Sequence, residues 1–106
     1  MDFNNLETDE VIGLVRRWGE KKGLDQADPS KQFLKVTEEI GEIAAALARD
    51  NRNDLEDALG DTVVTLIILA EQKGLALEDC LTVAYNVIKD RNGEMKDGVF
   101  IKSEDL

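Results

Sequence analysis

The sequence predicts an all-α protein: a four-helix bundle with a short extended C-terminal tail, associating with further copies of itself. Three observations carry this. Apolar residues recur at three- and four-residue spacing in four separate segments. Helix start and stop signals bound those segments, with Asp28-Pro29, Lys73-Gly74 and Asn92-Gly93 the clearest. The chain also holds a single Pro and few aromatic residues, which suits helices better than sheet. Its 106 residues make one small domain, residues 1–106, with a modest core.

Thr8 or Asp9 is the expected cap of a first helix running to about Lys22, with Val11, Leu14, Val15 and Trp18 on one face. Gly23 ends it. Asp28 at the N-cap and Pro29 at the first helical position start a second helix. It continues through Phe33, Val36, Ile40, Ile43 and Leu47 to about Arg49. Asp50 to Asn53 form the turn, and Asn53 with Glu56 resembles a capping pair for the third helix. From Thr62 to Ala70 that helix is apolar nearly all round, so one stripe is expected to meet another subunit. A fourth helix, from about Leu77 to Lys89 or Arg91, is expected to turn Leu81, Ala84, Val87 and Ile88 inward. The tail from Glu94 to Leu106 should be extended, with Val99, Phe100 and Ile101 docking back on the bundle.

Charge and absent residue types narrow the function. With 13 basic against 23 acidic residues, the net charge of −10 argues against a broad basic surface for nucleic acid. No apolar run is long enough to cross a bilayer, and the N-terminus lacks a secretory apolar core. Cys80 stands alone, which fits a reducing compartment. A soluble, cytoplasmic protein with neither nucleic-acid nor membrane partners is expected. The lack of His removes His-based catalysis, His-liganded zinc and the Glu-x-x-His di-iron bundle. There is no Gly-rich phosphate loop, and an EF-hand begun at Asp50 fails because Leu55 stands where Gly is required.

What remains is carboxylate. Glu38, Glu39 and Glu42 lie within about a turn of one another on the second helix, and Asp54, Asp57 and Asp61 follow at spacings of three and four on the third. An antiparallel hairpin would bring the two groups face to face, and such a cluster repels itself without cations. Two readings stand. The acids are a solvated surface, with Asp54, Glu56 and Asp57 favoured by the dipole of a first helical turn; or they hold a divalent ion, with Mg²⁺ or Mn²⁺ matching hard oxygen ligands. Asp61 favours the second, because it sits inside an apolar run where a lone carboxylate is costly to bury, with pairing to a Lys or Arg the alternative way to neutralise it. Gly41 and Gly60, beside these acids, suggest close helix approach or access for a ligand.

In this order and spacing, QFLKVTEEIGE (residues 32–42), DALGDTVV (57–64) and AYNVIKDRNG (84–93), followed by GVFIK, resemble the MazG-like branch of the all-α nucleoside triphosphate pyrophosphohydrolases. The resemblance implies an oligomeric bundle, a homodimer or homotetramer, that hydrolyses nucleoside triphosphates to monophosphate and pyrophosphate with Mg²⁺. By that analogy Glu39, Glu42 and Asp61 match metal ligands, with Glu38 as a further ligand or the group that orients water. The usual second motif is E-x-x-D, but Ala58 stands three before Asp61, which places the fourth ligand at Asp57. Asn86, Lys89 and Arg91 match a grouping that contacts phosphates, although cations also suit a helix C-terminus without any ligand. Trp18, Lys31, Gln32 and Lys35 are candidates for the nucleobase and phosphate side, with a core role for Trp18 the competing reading.

The reaction expected is metal-assisted attack of water at the α-phosphorus, with Glu38 taking the proton, Glu39 among the catalytic carboxylates, and Lys89 or Arg91 stabilising the departing pyrophosphate. Relatives acting on dUTP or phosphoribosyl-ATP keep the substrate open. A non-catalytic helical interaction module is the alternative from a different class.

Overall fold

A computed structural model describes residues 5–106. Four helices are present: α1 (Thr8–Lys21), α2 (Pro29–Ala48), α3 (Arg52–Gln72) and α4 (Leu77–Ile88). A 3-10 turn, Leu24–Gln26, links α1 to α2. The C-terminal segment is a hairpin of β1 (Gly93–Lys96) and β2 (Val99–Lys102), paired antiparallel with Gly93 opposite Lys102. Helix predominates, as expected. The hairpin corrects the expected extended tail: Asp97 and Gly98 both take positive φ, 52° and 81°, which is the two-residue turn that suits the twist of paired strands. It also fails to dock on the bundle, since Val99 is 58% and Phe100 46% exposed.

The α2–α3 hairpin is the centre of the molecule. Asp28 caps α2 as expected, its Oδ1 accepting the Ser30 N–H at 2.9 Å with Pro29 next in line. The turn between α2 and α3 is shorter than the sequence suggested. Asp50 takes a left-handed φ of 51°, and the Asn51 N–H reaches back to the Ala46 carbonyl at 3.0 Å, closing α2 in a Schellman arrangement. Asn51 then caps α3, its Oδ1 accepting the Asp54 N–H at 3.0 Å. The expected Asn53–Glu56 pair is therefore displaced two residues upstream, because Asn53 is already helical. In α1 the cap is Glu7, in a reciprocal box with Glu10, rather than Thr8 or Asp9. A Glu side chain reaches that N–H as well as a shorter one does, which residue preference alone did not suggest.

The core is thin. Val36 and Ala46 of α2 and Ala58, Ile67, Ile68 and Ala70 of α3 are its buried apolar residues. The third helix is apolar all round because α1, α2 and α4 all pack on it; what it leaves in water is a narrower strip containing Leu59 and Val63. Gly41 and Gly60 are not points of close approach, since a Cβ at either would touch nothing within 4 Å. Trp18 is not core but half-exposed. Nor does α4 turn its apolar face inward: Leu81, Val87 and Ile88 are all more than half exposed, and no residue of α4 is fully buried.

Polar links compensate in part. Arg16 of α1 holds Glu78 of α4 through two parallel bonds of 2.7 and 2.6 Å. That fork keeps the Glu78 carboxyl down at about 2. Nearby, Glu71 of α3 shares a hydrogen bond with Glu20 of α1, and this bond, with partial burial and the charges of Glu20 and Asp25, pushes Glu71 up to about 7.

Two predictions follow from these elements. Asn51→Ala removes the α3 cap and should cost about 1 kcal/mol, whereas Asp50→Gly relieves left-handed strain and should raise stability by roughly 0.5 kcal/mol; opposite displacements of the denaturation midpoint check both. Between pH 4.5, the ordinary value for Glu71, and about 7, its folded value, the unfolded chain is ionised there and the folded chain is not. Stability from this group therefore falls as pH rises through that window. Glu71→Gln should flatten that slope in urea melts, and an unchanged slope would refute the assignment.

Candidate metal centre

The antiparallel run of α2 and α3 decides which side chains meet. Counting outward from the turn, Arg49 and Asp54 lie nearest it, then Ala46 with Asp57 and Ala58, then Glu42 with Asp61, and finally Glu38 and Glu39. All nine line a single open cavity of about 390 Å³. All five carboxylates expected as metal ligands, Glu38, Glu39, Glu42, Asp57 and Asp61, thus face the same space. Asp54 joins them.

The floor of the cavity is made by small residues. Ala46 and Ala58 are 2% and 4% exposed, so their methyls bring the helices together while the longer acids fan out above. Asp61 is exposed, not buried among its apolar neighbours: Thr62 and Val64 turn to other sides of α3, and the expected desolvation does not arise. Glu39 is the half-buried acid of the α2 group.

Most of these carboxylates have no partner. Among the described residues the ion pairs are Arg16–Glu78, Lys35–Glu38 at 3.3 Å and Lys102–Glu104. Only Glu38 of the cavity acids is engaged, through an exposed contact with Lys35 worth little. The donor set fits a hard divalent ion, being all carboxylate oxygen around a polar, hydrated space. Among the described residues, however, no three acidic side chains already converge closely enough to grip an ion. Their long rotamers have to close in for one to bind.

The other expected site residues lie elsewhere in the chain. Asn86, Lys89 and Arg91 do not border this cavity; Arg91 lies in a separate depression with Val87, Asp90 and Lys102. Trp18 edges an apolar depression with Val11, Leu14, Val15 and Val64. Gln32 is turned toward α3, its amide donating to the Thr65 carbonyl at 3.0 Å. Arg49 was missed in the sequence, although its position seven residues after Glu42 on the same helical stripe was available as a signal.

A protein of Haemophilus phage HP1 (strain HP1c1), described as "Uncharacterized 18.2 kDa protein in rep-hol intergenic region", is 34% identical over 64 residues, which is 59% of this chain and 39% of that protein. The chain thus spans well under half of that relative's length. No solved structure matches the chain at a significant level. The family model for the MazG nucleotide pyrophosphohydrolase domain matches residues 28–95, a stretch that contains all of α2, α3 and α4 and every acid of the cavity. The chain belongs to the MazG nucleotide pyrophosphohydrolase domain family.

Proposed function

We propose that this protein is a Mg²⁺-dependent nucleoside triphosphate pyrophosphohydrolase, releasing a nucleoside or deoxynucleoside monophosphate and pyrophosphate, with Mn²⁺ as a substitute ion. The observation that carries the reading is the meeting of Glu38, Glu39, Glu42, Asp57 and Asp61 around one cavity in a chain of this family. Glu39, Glu42, Asp57 and Asp61 hold the cation. When bound, it offsets triphosphate charge and lowers the pKa of water at the site. Glu38, at the far end from the turn and tied only loosely to Lys35, is placed to take the proton from the attacking water. Lys35 is then released toward phosphate. Trp18, half-exposed, offers a ring face to the base.

Lys89 and Arg91, just beyond the end of α4, need a second copy of the chain to act here. They do not border the acids of their own chain, and α4 is poorly covered. The accessible surface of 8115 Å² exceeds the roughly 5,900 Å² expected of a folded monomer of this mass. The excess is larger than the ~800 Å² per partner of a standard interface. Phe33, Ile40 and Leu47, seven residues apart on α2, form an exposed apolar stripe beside Leu59 and Val63 of α3. Helical periodicity puts that stripe on the side of the hairpin away from the acids. A homodimer, or a homotetramer built from it, covers such a surface. It also lets Asn86, Lys89 and Arg91 of one copy approach the acids of another.

Two experiments test this. A panel of ribo- and deoxynucleoside triphosphates, with dUTP and phosphoribosyl-ATP included, is scored for pyrophosphate release with Mg²⁺ or Mn²⁺. Turnover is expected, with melting temperature raised by the metal alone. Glu39→Gln with Asp61→Asn should abolish most of that rise, and Asp57→Asn should cut turnover by roughly tenfold or more. A folded protein that turns over nothing and ignores the metal would instead be a helical interaction module. In the second experiment, Glu39→Gln chains are mixed with Lys89→Ala chains. A site shared between copies predicts partial recovery of activity, whereas a self-contained site predicts none.

A further inference from the structure

We propose that Arg49 is a substrate-contact residue that grips the phosphate chain of the nucleotide from the same chain as the acids. The inference rests on the nucleotide-hydrolysis reading above and names the group through which that site recognises phosphate. Arg49 is the one cation lining the acid cavity. Six carboxylates line the same space, yet Arg49 pairs with none of them: the ion pairs among the described residues involve Arg16, Lys35 and Lys102 instead. Among the described residues its side chain makes no hydrogen bond either, so the five donors of the guanidinium are unpaired at the edge of the cavity.

The backbone beneath it is fixed. Arg49 is the C-cap of α2, its N–H bonded to the Ala45 carbonyl at 3.1 Å, and Asp50 and Asn51 close the turn directly after it. Seven residues separate it from Glu42, roughly 10 Å along the helix at 1.5 Å per residue. An extended Arg and a polyphosphate chain together bridge that span. With a cation held at Glu39, Glu42, Asp57 and Asp61, phosphate oxygens directed toward the turn would approach Asp54, and Arg49, which lines the same end of the cavity, is the positive charge that offsets it there. A planar fork matches phosphate better than a point charge does. Ala58 contributes in a second way: without a carboxylate at that buried position, there is one acid fewer on the floor to capture the guanidinium.

The structural alternative is a cation placed at a helix C-terminus for its dipole. It predicts lost stability and unchanged binding. The full-length protein, Arg49→Gln and Arg49→Lys are compared in three measurements: the melting shift with Mn²⁺ alone, calorimetric affinity for tripolyphosphate with Mn²⁺, and steady-state kinetics on the best nucleotide of the panel. Tripolyphosphate isolates phosphate recognition from base preference. Arg49→Gln should keep or enlarge the Mn²⁺ shift, since a cation beside the carboxylates is gone. It should weaken tripolyphosphate binding and raise KM by roughly ten- to a hundredfold, with Arg49→Lys recovering only part. If the wild type hydrolyses nucleotide and Arg49→Gln matches it in affinity, KM and kcat, the inference is overturned and the hydrolysis reading stands. If tripolyphosphate binds in an Arg49-dependent way without any hydrolysis, the inference stands and the hydrolysis reading falls. A wild type that neither binds nor hydrolyses overturns both.

Discussion

Like charges facing each other across two packed helices set the terms for the rest of this structure. Carboxylates on α2 and α3 gain nothing from proximity, so something else must hold the helices together beneath them. Ala46 and Ala58 do so at the cavity floor, and Val36, Ile67 and Ile68 continue the seam within the core. The turn completes the arrangement. One left-handed residue, Asp50, and one side chain, Asn51, close α2 and open α3 within three residues, leaving the hairpin little freedom to splay. Packing energy from a small apolar seam thus opposes charge repulsion that only bound cations fully relieve.

Away from that seam the chain is joined more by polar links than by apolar packing. The Arg16–Glu78 fork ties α1 to α4, and the hydrogen bond between Glu20 and Glu71, which helps raise Glu71 to about 7, ties α1 to α3. Directional links of this kind fix orientation without demanding area. They suit an element such as α4, whose apolar side chains are largely exposed. A helix held at its first turn by Glu78 and exposed at Leu81, Tyr85 and Ile88 is positioned as an arm rather than as a bundle member.

The residues that were legible in the sequence are those whose reasons are local. Asp28-Pro29 read correctly as a helix start because both residues act within one turn. The facing acids were legible because helical periodicity and a short turn leave few ways to arrange them. What was misread depended on neighbours. The apolar girth of α3 suggested a face in water, when α1, α2 and α4 take up most of it. Asp61 suggested burial because its sequence neighbours are apolar, but on a helix adjacent residues point some 100° apart. The Asp97-Gly98 hairpin had a visible turn signal that the absence of long strands obscured. Arg49, next to the turn and outside the motifs that carry the resemblance, gave no local signal beyond its helical spacing from Glu42.

Ala58 shows how one substitution redistributes a site. The resemblance places an acid at this position, where the side chain is 4% exposed and forms part of the cavity floor. A carboxylate there would be partly desolvated and pressed against the others, so it would bind a cation tightly and suffer most without one. Asp57 lies one residue earlier, turned about 100° around α3, and is exposed. On the reading proposed above, an acid has in effect moved from the floor to the wall. An exposed carboxylate on the wall is better hydrated than one on the floor. A Mg²⁺ ion held with its help would keep more of its own waters, as that ion readily does. The space left by the missing floor carboxylate remains open to the phosphate chain. On that reading the same change would weaken the grip on an ion while enlarging the room beside Arg49, which lines the same cavity.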